Sequence, residues 1–273
     1  MAKTANKDNN ITKVKPMNNL PDFMKDEEVT GLDMVKNYIK PPRIKIVQKQ
    51  SSADLLSLFG AGDVILSPQN VMVVEMVRDG KGRPLDDDVT SFSFVPLFFY
   101  PEWVTWNPLE LKGKESSIRY RTTDPSDPVV KKAQTKELRE ELIPDGNGMK
   151  MKHCEHLNFV ILIQGDTEHS ETPCILSFSR SAWTAGSKFC SLLSMRKAPI
   201  YGCVFDAVVI SKKNDLGDWY GLDIVNPAGS PWVEKEYFEA YKILHQEFEE
   251  YHKESRLRPD IESDESDSPS DDM

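Results

Sequence analysis

Short β-type runs separated by turn residues are the feature that most restricts the fold of this chain. "RIKIVQ" alternates polar and apolar residues, and "DVILS" (63–67) and "VMVVEMV" (71–77) follow around a turn at 68–70. Such alternation is typical of half-buried strands. Several short strands in succession predict an antiparallel sheet or barrel rather than βαβ units.

The second half of the chain continues this pattern. "SFSFVPLFFYPEWVTW" (91–106) is rich in β-formers, and its prolines Pro96 and Pro101 predict breaks. "HLNFVILIQG" and "PCILSFS" predict two further strands. "YGCVFDAVVISKKNDLGDWYGLDIV" predicts a hairpin, because Gly217 supplies the positive φ that its turn needs.

Two segments have helical periodicity instead. "SAWTAGSKFCSLLSM" predicts a helix with Ser181 as its N-cap. Its apolar positions recur at helical spacing: Ala185, Phe189, Leu192 and Leu193. A second helix is predicted at about 232–255, with one apolar stripe formed by Tyr237, Tyr241, Leu244, Phe248 and Tyr251.

These patterns predict a mainly β (α+β) protein: an OB-like antiparallel β-barrel at 42–256 with inserted helices and a C-terminal helix. Residues 1–41 are predicted to form a flexible polar arm that ends at the helix-stopping pair Pro41-Pro42. Residues 110–152 are interpreted as an insertion over the barrel, with a short helix in "DPVVKKAQTKELREEL". Residues 257–273 are acidic, have few apolar residues to bury and are predicted to be disordered.

The composition favours a soluble protein without catalytic chemistry. The four cysteines and the lack of an apolar leader predict free thiols in the cytoplasm, and the sequence has no run of about 18 apolar residues for a membrane span. The cluster "HCEH", with His153, Cys154 and His156, lacks the paired spacing of zinc ligands, so a zinc site is only a minor alternative. We therefore expect no enzyme activity, no cofactor and no metal.

The charge is unevenly distributed. The formal net charge is −10, and seven of these negative charges lie in the tail: Asp260, Glu262, Asp264, Glu265, Asp267, Asp271 and Asp272. The segment 180–213 holds six basic residues against one acid, and "KGKESSIRYR" is a second basic patch. Tryptophan and tyrosine residues are interleaved with both patches, as in grooves that bind single strands by phosphate contacts and base stacking.

The candidate site residues follow from these two patches. Phosphate contacts are predicted for Arg43, Lys45, Lys112, Arg119, Arg121, Arg180, Lys188, Lys212 and Lys213. Stacking faces are predicted for Trp103, Trp106, Tyr120 and Trp219, whereas Trp183 and Phe189 are assigned to helix packing. The alternative is that these rings lie in the core and the charges are solvated.

A family resemblance points the same way. "PPRIKIVQKQSS…GAGDVILS", "LSFSRSAWTAGSKFCSLL…APIYGCVFDAVVISKKNDLGDWYGLDIV" and the acidic end resemble single-stranded-DNA-binding proteins of tailed bacteriophages, over about 42–248. The pattern is also similar to the Drc-type transcription cofactor of N4-like phages. The resemblance implies an OB-type domain that coats single-stranded DNA in replication or early transcription, in the host cytoplasm. The chain departs from the tails of such proteins by ending in Asp271-Asp272-Met273 instead of an aromatic residue.

Two functions remain open at this point. The first is sequence-tolerant binding of single-stranded DNA, as a monomer or homo-oligomer. The second is an adaptor that recruits a phage polymerase or another replication protein to DNA through the tail or the C-terminal helix. A partner that survives nuclease treatment in a pull-down would favour the adaptor.

Deleting residues 259–273 tests whether the tail regulates binding. A tethered polyanion competes for a cationic groove at an effective concentration of about millimolar, so its removal is expected to tighten DNA binding. The measurement is the affinity for labelled oligo-dT with and without the tail. An unchanged affinity would leave the tail as a solubilising segment or a partner handle.

Overall fold

The computed structural model describes residues 41–79, 90–108, 111, 116–143, 148–165, 172–214, 217–254 and 257. The strands in these ranges are β1 Arg43–Ile46, β2 Val64–Ser67, β3 Val71–Val74, β4 Ser91–Trp106, β5 Ile118–Thr122, β6 Glu140–Leu142, β7 Lys150–Ile163, β8 Cys174–Ser179, β9 Phe205–Asn214 and β10 Gly217–Val225. The helices are α1 Ala53–Leu58, α2 Pro128–Gln134, α3 Trp183–Arg196 and α4 Lys235–Lys253. None of these helices combines the length and apolar character needed to cross a membrane.

The strands form one mixed sheet in the order β10-β9-β4-β7-β8-β1-β2-β3, with β5 added to β4 and β6 added to β7. The pairings are antiparallel except between β1 and β8. The sheet is open, so the predicted barrel is not confirmed. The side chain of Gln48, just after β1, nevertheless exchanges two hydrogen bonds with the backbone of Tyr220 in β10, at 2.9 and 3.0 Å.

Strand β4 is continuous over 16 residues, so the breaks predicted at Pro96 and Pro101 are wrong. Strand β9 pairs with residues 91–94 and β5 pairs with residues 103–106. Between these stretches, the described strands pair with β4 on its β7 side only. A proline without an amide hydrogen is tolerated at such an edge, and a bulge between Pro96 and Phe98 absorbs the irregularity.

The first face of the sheet packs on α3. Phe189 is fully buried, with its ring centroid 4.6 Å from that of Phe159 and 4.9 Å from that of Phe205. The predicted helix and the core role of Phe189 are thus confirmed. Ser181 is not its cap, because a 3₁₀ turn at Arg180–Ala182 precedes α3. Trp183 is 40% exposed and donates its indole N–H to Glu155, so its predicted role in helix packing is not confirmed.

The second face packs on α4. Phe248 is buried there against Val95, Leu97 and Val160, as the apolar stripe predicted. The stripe is incomplete, since Tyr237 at the start of the helix is 49% exposed. Leu257 belongs to the same cluster and is 3% exposed, so the packed domain extends into the predicted tail.

The segment 110–152 joins the sheet through β5 and β6, which pair with the ends of β4 and β7. Its short predicted helix is α2. Asp127 caps α2 by accepting a hydrogen bond from the amide of Val129 at 2.9 Å, and Pro128 occupies the first turn.

Replacing Gly186 by alanine tests the packing of α3. A Cβ atom at this position would lie 2.6 Å from Cβ of Phe178 and 3.1 Å from Leu157, so α3 would have to shift. We expect the free energy of unfolding, measured with urea, to fall by about 1–3 kcal/mol. The matched control is Gly229→Ala, where the added methyl group meets open space. Equal stability of the two variants would contradict this close approach.

Candidate functional site

A set of polar side chains lies on the α4 face of the sheet, next to the apolar contacts with α4. Tyr100, Asn158 and Ser177 stand opposite one another on β4, β7 and β8, and His156 lies two residues from Asn158 on the same face. Opposite residues in antiparallel strands have Cβ atoms about 4.5–5.5 Å apart. We call Tyr100, His156, Asn158 and Ser177 the polar row. Tyr100 and Asn158 are fully buried, and His156 is 1% exposed.

Arg43, Arg121 and Arg180, here called the three arginines, surround the polar row. Arg121 forms an ion pair with the buried carboxylate of Glu102, at 2.6 Å from Nη2 to Oε1. The guanidinium of Arg180 lies 5.0 Å from the ring centroid of Trp106. The Trp106 ring in turn stacks on His156, with centroids 6.0 Å apart and planes inclined by 29°. Cationic and aromatic groups are therefore adjacent at this point of the sheet.

The environment of the polar row determines the protonation states of His156 and Tyr100. Burial, followed by the positive charge of the three arginines, holds the pKa of His156 well below its usual value. Burial also raises the pKa of the Tyr100 phenol. Both side chains are therefore neutral near pH 7 and have hydrogen atoms to donate.

Arg180 adopts a left-handed backbone conformation, with φ of 49°. This conformation is uncommon for a residue other than glycine and costs on the order of 1–3 kcal/mol. It occurs where the chain leaves β8 and enters the 3₁₀ turn before α3. Strain of this kind is often found at functional sites.

The predicted site residues divide between two places. Arg43, Trp106, Arg121 and Arg180 gather around the polar row, whereas Lys212, Lys213 and Trp219 lie on the β9–β10 hairpin. In that hairpin Lys212 and Trp219 are opposite each other. Val208 of β9 lies opposite Ser91 at the start of β4. Ser91 is about 36 Å from Glu102 along β4, at roughly 3.3 Å per residue, so the hairpin is far from the polar row.

Other predicted residues lie outside these two groups. Arg119 is exposed and Tyr120 is 45% exposed, with its phenol donating to Asp127. Lys188 is largely exposed and pairs with Asp223 at 3.6 Å. Lys45 follows Arg43 on β1, and Lys112 and the acids of the tail lie outside the described residues.

The structure contradicts the prediction that Trp103 offers a stacking face. Trp103 is 3% exposed and thus has no face open to a base. Side chains of β4 alternate between the two faces of the sheet, which explains this burial. Trp103 lies on the same face as Phe99, and Phe99 packs in the α3 core. Trp106 lies on the opposite face and remains half-buried.

Sequence reasoning missed the polar row itself. The available signal was the pair His156 and Asn158, two residues apart in a strand whose following residues are all apolar. Two polar residues at this spacing share one face of a buried strand, and buried polar groups need partners.

The "HCEH" cluster is divided by the sheet. His153 lies on the face opposite to His156, where Nδ1 is 2.8 Å from Oγ1 of Thr105 and Nε2 is 3.1 Å from Oε2 of Glu141. Glu141 also pairs with Lys132 of α2. In the described part of the chain, no three histidine, cysteine or acidic side chains are grouped to hold a metal ion.

A protein-family model described as "Pam3 phage gp34-like protein" matches residues 82–253, which is more than half of the chain. The matched range holds β4 to β10, α2, α3 and α4. No curated protein and no solved structure gives a significant match.

Replacing His156 by glutamine tests its buried, neutral state. Since its pKa is lowered on folding, only the unfolded chain takes up this proton between pH 6.5 and the lowered pKa, and stability is lost as the pH falls through that window. Urea unfolding at pH 7.5 and 5.5 measures the loss. We expect the loss to be smaller in His156→Gln by about 1.4 kcal/mol per pH unit below 6.5. His153 and His252, whose pKa values burial also lowers, continue to titrate in the variant. An equal loss in both proteins would show that His156 is accessible to protons.

Proposed function

The chain belongs to the Pam3 phage gp34-like family, and from this premise we propose that it is a phage protein that binds single-stranded DNA. The contact surface is the sheet face that carries Trp106 and the three arginines. Binding has little sequence preference and protects the strand during replication or early transcription in the host cell.

One observation carries this proposal: Arg180, Trp106 and His156 are stacked beside Arg43 and Arg121 on a single face. Guanidinium groups bind backbone phosphates, and the exposed part of a half-buried ring such as Trp106 can stack on any base. For sequence-tolerant binding, the groups that contact phosphates and the ring that stacks on bases must lie side by side. This face combines them in residues that come from five separate segments of the chain.

The β9–β10 hairpin supplies a second contact in the proposed complex. Trp219 faces Lys212 across the hairpin, and the Lys212 chain passes over Gly221, which leaves room for it. Lys49, after β1, pairs with Asp218 at the same end.

The binding measurement is fluorescence anisotropy of the full chain with labelled oligo-dT at several salt concentrations. Affinity is expected to fall steeply with salt, with a logarithmic slope of about 0.7 for each phosphate neutralised. Arg180→Gln should reduce this slope by about one such contact. Trp106→Leu should weaken binding by about 1–3 kcal/mol with less change in slope, because it removes a stacking face.

The matched control is Lys253→Gln, which removes an exposed cation paired with Glu249 on α4. It should bind as the unchanged protein does. Absence of oligo-dT binding at low salt, or equal losses in all three variants, would overturn the proposed function.

An adaptor is the second candidate, and the exposed apolar side chains of α4 favour it. Tyr237 is 49% exposed and Ile243 is 56% exposed, although α4 buries its other face. Pull-down from infected cells, with and without nuclease, separates the two functions. An adaptor keeps its protein partner after the DNA is digested, and Ile243→Glu should then release that partner.

A further inference from the structure

The polar row has hydrogen-bonding capacity that the protein does not use. In the described structure, the side-chain oxygen and nitrogen atoms of all four of its residues are enclosed and lack a hydrogen-bond partner. The indole N–H of Trp106 is in the same state. Native proteins rarely leave buried polar groups unpaired, and several such groups side by side indicate a site that takes a ligand or water.

The chemistry of these groups favours a negatively charged occupant. Tyr100 and Ser177 carry hydroxyl groups, Asn158 carries an amide NH₂, and neutral His156 carries one N–H, so all four can donate. The Asn158 oxygen and the second ring nitrogen of His156 are acceptors. The donors converge from three adjacent strands, in positions that the strand register fixes. Burial and then the charge of the three arginines lower the pKa of His156, while burial and then the Glu102 carboxylate raise the pKa of Tyr100. Three guanidinium groups against one carboxylate leave a net positive fixed charge, and so a positive potential, around the row. Water would fit the donors equally well, but it would not respond to this potential.

We propose that the polar row binds one phosphate-class anion. The hydroxyl groups of Tyr100 and Ser177, the Asn158 amide and a ring N–H of His156 donate to its oxygen atoms, with the guanidinium of Arg121 and its partner Glu102 at the border. The site extends beyond the proposed function, because it holds free inorganic phosphate as well as a phosphodiester.

Asn158→Asp provides a sharp test. The substitution keeps the size of the side chain and places a carboxylate where the anion would bind. The new charge would repel phosphate and would itself face the three arginines. Asn107→Asp makes the same chemical change outside the row, where Asn107 contacts Arg119 and Ser116, and serves as the matched control.

The measurement is thermal unfolding of the full chain, dialysed free of phosphate and then incubated overnight with sodium phosphate or with sodium chloride of equal ionic strength. The incubation is long because the donor atoms of the row are enclosed, so the covering side chains must move before free phosphate or a DNA phosphate can enter. We expect phosphate to raise Tm by several degrees in a saturable manner in the unchanged protein and in Asn107→Asp. Asn158→Asp should lose this shift and, without phosphate, melt no lower than the unchanged protein.

Two results would overturn the anion site. One is the absence of a phosphate-specific shift in the unchanged protein, which would mean that the row is hydrated. The other is a full shift in Asn158→Asp. If Asn158→Asp does not fold, Ser177→Ala replaces it and should need several-fold more phosphate for half of the shift. An unchanged titration in Ser177→Ala would be equally decisive against the site.

Competition separates the two sources of the anion. If free phosphate displaces oligo-dT without terminal phosphates, and Asn158→Asp weakens both, the row holds a phosphate of the DNA backbone. If Asn158→Asp loses only the phosphate shift, the row holds free phosphate. A phosphate shift without any oligo-dT binding would leave the anion site standing and remove the DNA-binding function.

Discussion

The ladder between β4 and β7 is the interaction on which the rest of the structure depends. It pairs residues from Phe94 opposite Ile163 to Trp106 opposite Lys152. Over Phe94–Tyr100 both of its faces pack in the hydrophobic core. Because side chains of β7 alternate between the two faces, Phe159 packs toward α3 and Val160 packs toward α4. A slip of one residue would exchange the two faces and move the polar row into the aromatic core beneath α3. The register of this one pairing therefore specifies the core and the candidate site together.

The apolar and polar parts of the α4 face have different roles. Val95, Leu97 and Val160 bury hydrocarbon under α4, which stabilises the sheet in proportion to the area covered. The polar row extends the same face with groups that gain nothing from burial. Glu102 and Arg121 pair there, and buried ion pairs are weak sources of stability because of their desolvation. A sheet selected for stability alone would continue the apolar surface, so these polar groups support the binding that we propose.

Local patterns made much of the fold predictable, and long-range contacts explain what was missed. The hairpin, strands β1 to β3 and the stripe on α4 follow from periodicity of two or 3.6 residues. The continuity of β4 across Pro96 depends on which strands lie at its other edge. The sheet is open because its end strands, β10 and β3, do not pair with each other in the described structure. Composition likewise identified Arg43, Arg121 and Arg180 as candidates but not as neighbours. The burial of Trp103 and the presence of His156 in the site depend on which face of a two-sided strand each occupies.

The turn at Arg180 links the candidate site to the core. Ser179 ends β8 opposite His156, and within four residues the chain reaches Trp183, whose indole N–H binds Glu155 on the other face of β7. The chain passes from one face of the sheet to the other within these four residues, so it must turn sharply. The positive φ of Arg180 provides this turn. Phe189 and Gly186 fix α3 against Phe159 and Phe178, and so hold the turn from its far end. The packing of α3 thus helps to place the Arg180 guanidinium over Trp106.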